Sequence, residues 1–110
     1  MNYNFDREDE ILIVRLEGEF VVGRSDDFMA KILKNLDKNI TTIVVDFTNV
    51  KFIDSSGIGQ LLTVLKEFHK KNISIKICSL NKTIQNIFKK LNIYSFFEIY
   101  EDCEEAIAYS

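Results

Sequence analysis

The architecture of this chain follows from one short stretch, which reads Phe52-Ile53-Asp54-Ser55-Ser56-Gly57-Ile58-Gly59. Before it lies an apolar, β-branched run at 43–47, which is typical of a strand buried on both faces. After it, apolar side chains recur at helical spacing through residues 58–71. The stretch is therefore a strand-to-helix turn. Because the first N–H groups of a helix are unpaired and its dipole favours negative charge, hydroxyls at this turn are candidates for chemistry.

The remaining sequence continues the alternation of strands and helices. Such alternation predicts an α/β fold in which parallel strands are joined by right-handed crossovers, and the two N-terminal strands are expected to form an antiparallel hairpin. The strands are predicted at 2–5, 11–16, 43–47, 73–78 and 96–100. The helices are predicted to start after Ser25, at the 54–56 turn, after Asn81, and at a capping box of Asp102 and Glu105.

Length, composition and charge narrow the classes of function. The 110 residues, of which 46% are hydrophobic, suffice for one domain with its own core. A net charge of −3 without a basic stripe argues against nucleic-acid binding. There is no apolar run long enough to span a membrane, and the acidic 6–10 segment is unlike a signal peptide. We therefore expect a cytoplasmic protein with neither a membrane nor a nucleic acid as partner.

The cysteines and acidic residues do not form a recognisable ligand set. Cys78 and Cys103 are far apart in sequence and lack a CxxC pattern, so we expect two reduced, structural thiols rather than a disulfide. Asp46 is expected to hydrogen-bond locally and Asp54 to help cap a helix. His69 is the only histidine. No metal or cofactor is predicted.

Three kinds of chemistry are open to the turn, besides a plain helix cap by Ser55 or Ser56. A nucleophilic serine needs a base, and His69 lies fourteen residues along the same helix, about 20 Å away. A phosphate cradle lacks its signatures, since Gly57-Ile58-Gly59 is followed neither by a third glycine at Leu62 nor by GK[ST]. Phosphorylation would add about −1.5 to −2 charge, which a helix start tolerates and a docked partner does not. The turn is thus physically suited to an on/off switch of binding.

These residues resemble the STAS domain family, and within it the bacterial anti-sigma-factor antagonists. The resemblance rests on Val44-Val45-Asp46-Phe47, the 52–59 stretch, the following amphipathic helix, and Gly18-Glu19. It implies one STAS domain over residues 1–110, with a mixed central sheet and about four helices packed largely on one side. It also implies a protein without catalytic activity, in which the unmodified form binds an anti-sigma factor that is a serine kinase and so releases a sigma factor. The kinase would use ATP and magnesium to phosphorylate Ser55, which would end that binding. A serine phosphatase would then remove the phosphate.

One departure from the family concerns the residues after the second strand. Many antagonists carry an aspartate on the kinase-facing surface where this chain has Val21. The resemblance therefore indicates the identity of the partner less firmly than it indicates the serine. The neighbouring apolar run either forms a binding surface or ends a strand beneath the first helix. A ligand-sensing or scaffolding STAS module without a serine switch is the alternative function, and a monomer is expected when the protein is free. The predicted partner-binding residues are Asp54, Ser55, Ser56, Gly57, Ile58, Gly59, Phe20, Val21 and Val22.

Overall fold

A computed structural model describes residues 1–109, which alternate between strands and helices. Within those residues, no helix is both long enough and apolar enough to cross a membrane. The strands are β1 (Asn2–Glu8), β2 (Ile11–Phe20), β3 (Thr42–Ile53), β4 (Ser74–Cys78) and β5 (Glu98–Tyr100). The helices are α1 (Phe28–Asn35), α2 (Ser55–Lys70), α3 (Lys82–Lys90) and α4 (Cys103–Ala108), with a 3₁₀ turn at Tyr94–Phe96.

The strands form one mixed sheet in the order β1-β2-β3-β4-β5. β1 and β2 are an antiparallel hairpin, whereas every other neighbouring pair is parallel. The predicted hairpin and parallel crossovers are thereby confirmed. β3 lies at the centre, and its carboxyl end leads directly into α2, so the 52–59 stretch lies where parallel α/β sheets usually place their sites.

The two faces of the sheet are covered unequally. Leu12, Val14 and Leu16 of β2 join the large core cluster, to which α1, α2 and α3 contribute their buried side chains. Ile11 and Ile13 point to the other face, where they pack with Ala106 of α4. Three of the four helices therefore share one face, which agrees with the expected packing largely on one side.

Several predicted boundaries are corrected. β3 continues to Ile53, so the 52–59 stretch begins inside the strand rather than beyond it. α1 starts at Phe28, and Ser25 does not cap it, because the buried Ser25 hydroxyl donates to the Val21 carbonyl oxygen at 2.9 Å. The last strand is shorter than predicted, because Phe96 ends the 3₁₀ turn and Phe97 follows it before the strand begins. The caps at Asn81 and Asp102 are confirmed: each side chain accepts the N–H three residues later at 2.8 Å. The capping box is incomplete, because within residues 1–109 the Glu105 side chain does not accept the Asp102 N–H.

The expectation of two separate thiols is wrong. Cys78 and Cys103 form a disulfide, with Cα atoms 5.3 Å apart. Cys78 ends β4 and Cys103 begins α4, which returns beside β4 after the chain has passed through α3 and β5. The spacing of 25 residues in sequence carries no trace of this return, because it depends on tertiary packing.

Candidate partner-binding site

The start of α2 is organised by Asp54. Its Oδ1 accepts the Gly57 N–H at 2.9 Å, which makes Asp54 the N-cap, and its Oδ2 accepts the Val22 N–H at 3.1 Å. The Asp54 N–H donates to the Phe20 carbonyl oxygen at 3.3 Å. These backbone donors, Gly57 first and Val22 second, hold the pKa of Asp54 below its ordinary value. Asp54 thus ties the helix start to the end of β2 while remaining ionised.

Ser55 is the first residue of α2 and its side chain is exposed. Within residues 1–109 its hydroxyl has no hydrogen-bond partner. The interpretation of Ser55 or Ser56 as the cap is wrong, because Asp54 takes that position; Ser56, the second helical residue, is half-buried. His69 lies exposed at the opposite end of α2 and is no base for Ser55. The turn therefore presents an accessible, unengaged hydroxyl.

The two glycines of the turn have different reasons to be glycine. A Cβ on the buried Gly57 would collide with the Phe20 carbonyl oxygen and ring, and would lie 2.9 Å from Ile53. Gly57 lets the helix approach the end of β2. A Cβ on Gly59 would meet no atom within 4 Å. The free protein therefore does not need glycine at position 59, and a partner could approach the helix backbone there because no side chain is present.

The loop between β2 and α1 is held against α2. Gly23 adopts a φ of +79°, which favours glycine. The Ser25 hydroxyl bonds the Val21 carbonyl oxygen and accepts Gln60 Nε2 at 3.3 Å. The sequence predicted Ser25 as the start of a helix and gave no role to Gln60. Their contact was not predictable, because they are 35 residues apart and no local pattern links them.

The predicted partner-binding residues separate into buried and exposed groups. Phe20 has no exposed surface, because its ring packs edge-on against Phe28 with centroids 5.0 Å apart; it belongs to the core and not to a surface patch. Gly57 and Ile58 are also buried. Val21 is half-buried, whereas Val22 is 68% exposed beside Asp54.

Phe52 adds an apolar side chain that the predicted set lacked. It is 43% exposed and lies next to Ile53, which points into the core. The pairing of β2 with β3 shifts by one residue between Val50 and Phe52, and this shift sets the face of β3 on which Phe52 lies. The sequence alone does not reveal the shift. We call the accessible surface here the Ser55 face, which comprises Val22, Phe52, Asp54, Ser55, Ser56 and Gly59.

The acidic residues have structural roles, as expected. Asp46 Oδ1 accepts the Thr48 N–H at 2.9 Å and the Thr48 hydroxyl at 2.6 Å. Asp54 caps α2 and bonds Val22. Asp46 does bring its carboxylate within 4.8 Å of the sulfur atoms of Cys78 and Cys103, an arrangement that sequence reasoning missed together with the disulfide.

Comparison with known proteins identifies the family to which this fold belongs. Residues 2–106 match the STAS domain, and the chain belongs to that family. It is 27% identical over 105 residues to the anti-sigma F factor antagonist of Paenibacillus polymyxa, covering 93% of this chain and 90% of that protein. It is 24% identical over 108 residues to BtrV of Bordetella bronchiseptica, a candidate anti-sigma factor antagonist by name, covering 98% and 93%. Among solved structures, the phosphorylated form of the Bacillus cell fate determinant SpoIIAA superposes with a TM-score of 0.72 at 24% identity, covering 97% of each chain.

Proposed function

We propose that this protein is an anti-sigma-factor antagonist that works by partner switching. In its unphosphorylated form it binds an anti-sigma factor that is also a serine kinase, and a sigma factor is released. Phosphorylation of Ser55 ends the binding, and a serine phosphatase restores it. The observation that carries the proposal is the exposed Ser55 hydroxyl, free of hydrogen bonds within residues 1–109, on the first residue of a helix whose turn is fixed by Asp54.

The electrostatics of the turn support a switch that acts on binding rather than on folding. A phosphate at Ser55 adds about −1.5 to −2 charge, which the positive end of the α2 dipole partly offsets. The ionised Asp54 already holds the Gly57 N–H, so the phosphate finds that donor occupied and extends into water. The fold loses little from this. A partner packed over Ser55 would have to desolvate the phosphate, and a cost of about 4 kcal/mol lowers affinity roughly a thousandfold.

The surface around Ser55 suits a protein partner. Val22 supplies exposed apolar area and is anchored through its N–H to Asp54. Gly59 lets a partner's backbone approach the first turn of α2, and Phe52 adds an aromatic ring at the edge. In protein interfaces a few residues contribute most of the binding energy. The proposal places the protein in the cytoplasm, where its kinase has ATP, as a monomer when free and without a cofactor of its own.

The direct test uses the chain with its cognate anti-sigma kinase, which the genes beside its own would identify. With ATP and magnesium, we expect a mass increment of one phosphate that disappears in Ser55→Ala and persists in the matched control Ser56→Ala. Ser55→Ala should still bind the kinase, whereas Ser55→Asp should not. Labelling at Ser56 instead of Ser55, or equal binding by Ser55→Ala and Ser55→Asp, would refute the switch.

The second candidate is a scaffolding or ligand-sensing STAS module without a serine switch. Val21 favours it, because a valine stands where many antagonists have a kinase-facing aspartate. This function predicts that binding of its protein partner is unchanged in Ser55→Asp, or that a nucleotide raises the melting temperature of unphosphorylated protein by mass action. Loss of partner binding in Ser55→Asp, without a nucleotide effect, decides for the antagonist.

A further inference from the structure

α4 is a short helix that packs on the sheet through few contacts. It has six residues, too few to be stable in isolation, and only Ala106 among them is fully buried. Its carboxyl end is held by Lys76, whose Nζ donates to the Tyr109 carbonyl oxygen at 2.6 Å and to that of Ala106 at 3.5 Å. The ring of Tyr109 stacks on Tyr100 with centroids 6.0 Å apart. Docking of α4 thus depends on a few contacts.

The disulfide anchors the other end of α4. Cys103 is the first residue of the helix, and Cys78 is the last residue of β4. With Lys76 at the carboxyl end and the disulfide at the amino end, α4 is attached to β4 at both of its ends. Beneath it lie Ile11, Ile13 and Val44, which pack in the same cluster as Ala106.

We propose that Cys78 and Cys103 are a reversible thiol–disulfide pair, a site of oxidative modification whose state controls how firmly α4 is docked on the sheet. The two sulfur atoms are bonded in the folded chain, and the Cα atoms are 5.3 Å apart, within the range that a disulfide requires. The two cysteines differ in access, since Cys78 is fully buried and Cys103 is half-buried. This difference assigns Cys103 as the residue that meets the oxidant and Cys78 as the residue that resolves the reaction.

The oxidant that balances the reaction is a small-molecule disulfide. The thiolate of Cys103, having lost its proton to water, attacks one sulfur of that disulfide; a protein–small-molecule disulfide forms and one small thiolate leaves and takes up a proton. Cys78 then loses its proton, and its thiolate attacks the Cys103 sulfur. The Cys78–Cys103 bond forms as the bond between Cys103 and the small molecule breaks, and the second small thiolate leaves and takes up a proton. Two electrons and two protons pass in total from the cysteines to the oxidant, and excess small thiol reverses both steps.

A metal site formed by the same cysteines is the competing chemistry. Asp46 is the third group whose ligand atom lies within 4.8 Å of both sulfurs. Its Oδ1 already accepts two hydrogen bonds from Thr48, and its Oδ2 lies 3.8 Å from Arg15 Nε. Because the carboxylate is engaged and the sulfurs are joined to each other, the geometry favours redox chemistry over metal binding.

The thiol count gives the first test. The full chain is equilibrated in buffers with a series of ratios of reduced to oxidised glutathione. Free thiols are then alkylated under denaturing conditions, and the labels are counted by intact-mass spectrometry. We expect species with no label and with two labels that interconvert in one two-electron transition. Two labels at every ratio, or glutathione left on Cys103 as the end product, would overturn the proposal. So would stoichiometric zinc binding by the reduced chain that protects both thiols, since it would assign a metal site instead.

Deuterium exchange gives the second test, which addresses α4 itself. We expect the amides of α4 to exchange at least about tenfold faster in the reduced chain than in the oxidised chain, while β3 is unchanged. Cys103→Ala should match the reduced wild type in every glutathione buffer, which separates loss of the bond from effects of the buffer. Equal protection of α4 in oxidised and reduced wild type contradicts the proposal, and that comparison does not depend on how well the variant folds.

Discussion

At the scale of single residues, Gly57 and Gly59 make opposite predictions. Gly57→Ala forces a methyl group onto the Phe20 carbonyl oxygen, a backbone atom that cannot move aside, so we expect destabilisation of about 1–3 kcal/mol or more. Gly59→Ala enters open space in a helix and should stabilise by about 0.5–1 kcal/mol. Urea unfolding of both variants measures the difference. Equal stability of the two would show that the Gly57 contact is not what fixes the helix start.

The same pair tests the use of Gly59 by a partner. If its bareness serves binding, Gly59→Ala should weaken kinase binding although it stabilises the free fold. Titration of the partner with wild type and Gly59→Ala decides this, with His69→Ala as the control because His69 is exposed at the opposite end of α2. Unchanged affinity in Gly59→Ala would show that the partner does not depend on the absence of a side chain at position 59.

Asp54 gives a pH-dependent prediction at the same scale. Its pKa is lowered in the folded chain, so it contributes stability that is present above the unfolded value near 4 and is lost as pH falls through the folded value. Asp54→Asn keeps a side-chain oxygen for the Gly57 N–H but lacks the charge and a second acceptor for Val22. We therefore expect a stability gap between wild type and Asp54→Asn at pH 7 that narrows at pH 3. A gap independent of pH would contradict this role.

At the scale of elements, the loop after β2 is held to α2 through Ser25. Ser25→Ala removes a buried hydroxyl and leaves the Val21 carbonyl oxygen without that donor, which should cost about 1–2 kcal/mol. Gln60→Ala should cost less, because its bonds are 3.3 Å and 3.4 Å long and the side chain is half-exposed. A double-mutant cycle by urea unfolding checks the contact. Strict additivity would mean that Gln60 does not hold the loop through Ser25.

Local signals decided which elements were predictable. The helical period of α2 and the Asn81 and Asp102 caps involve residues within a few positions of each other, and all were visible in the sequence. The start of α1 was not predicted correctly, because Ser25 is a common N-cap residue but its hydroxyl donates to the Val21 carbonyl oxygen instead. At the site, the exposed Ser55 turn was predicted, whereas the burial of Phe20 and the link to Gln60 arise from contacts between distant segments.

At the scale of the whole molecule, the alternation of elements was enough to predict a mixed sheet with parallel crossovers. The sequence also contains a signal that both faces of the sheet are covered, although it was not part of the prediction. Ile11-Leu12-Ile13-Val14 is apolar on both faces of β2, which indicates cover on both sides, and α4 supplies it on the second. The disulfide left no such trace, because only the return of α4 to β4 brings Cys103 to Cys78.

Val22 tests whether the exposed apolar surface belongs to the partner interface. It is 68% exposed, so Val22→Ala should leave the free energy of unfolding within about 0.5 kcal/mol of wild type. Affinity for the kinase should fall by about tenfold if the side chain is buried on binding. Leu33→Ala is the matched control, since Leu33 is 45% exposed on α1. Equal effects of the two variants on binding would place the interface elsewhere.

The phosphorylation switch is tested most directly by the affinity of the cognate anti-sigma kinase for the chain with and without phosphate on Ser55. Melting curves of both forms accompany it, so that a loss of binding is not confused with a loss of folding. We expect phosphorylation to weaken binding by roughly a hundredfold to a thousandfold while both forms stay folded. Equal affinity of the two folded forms would contradict it.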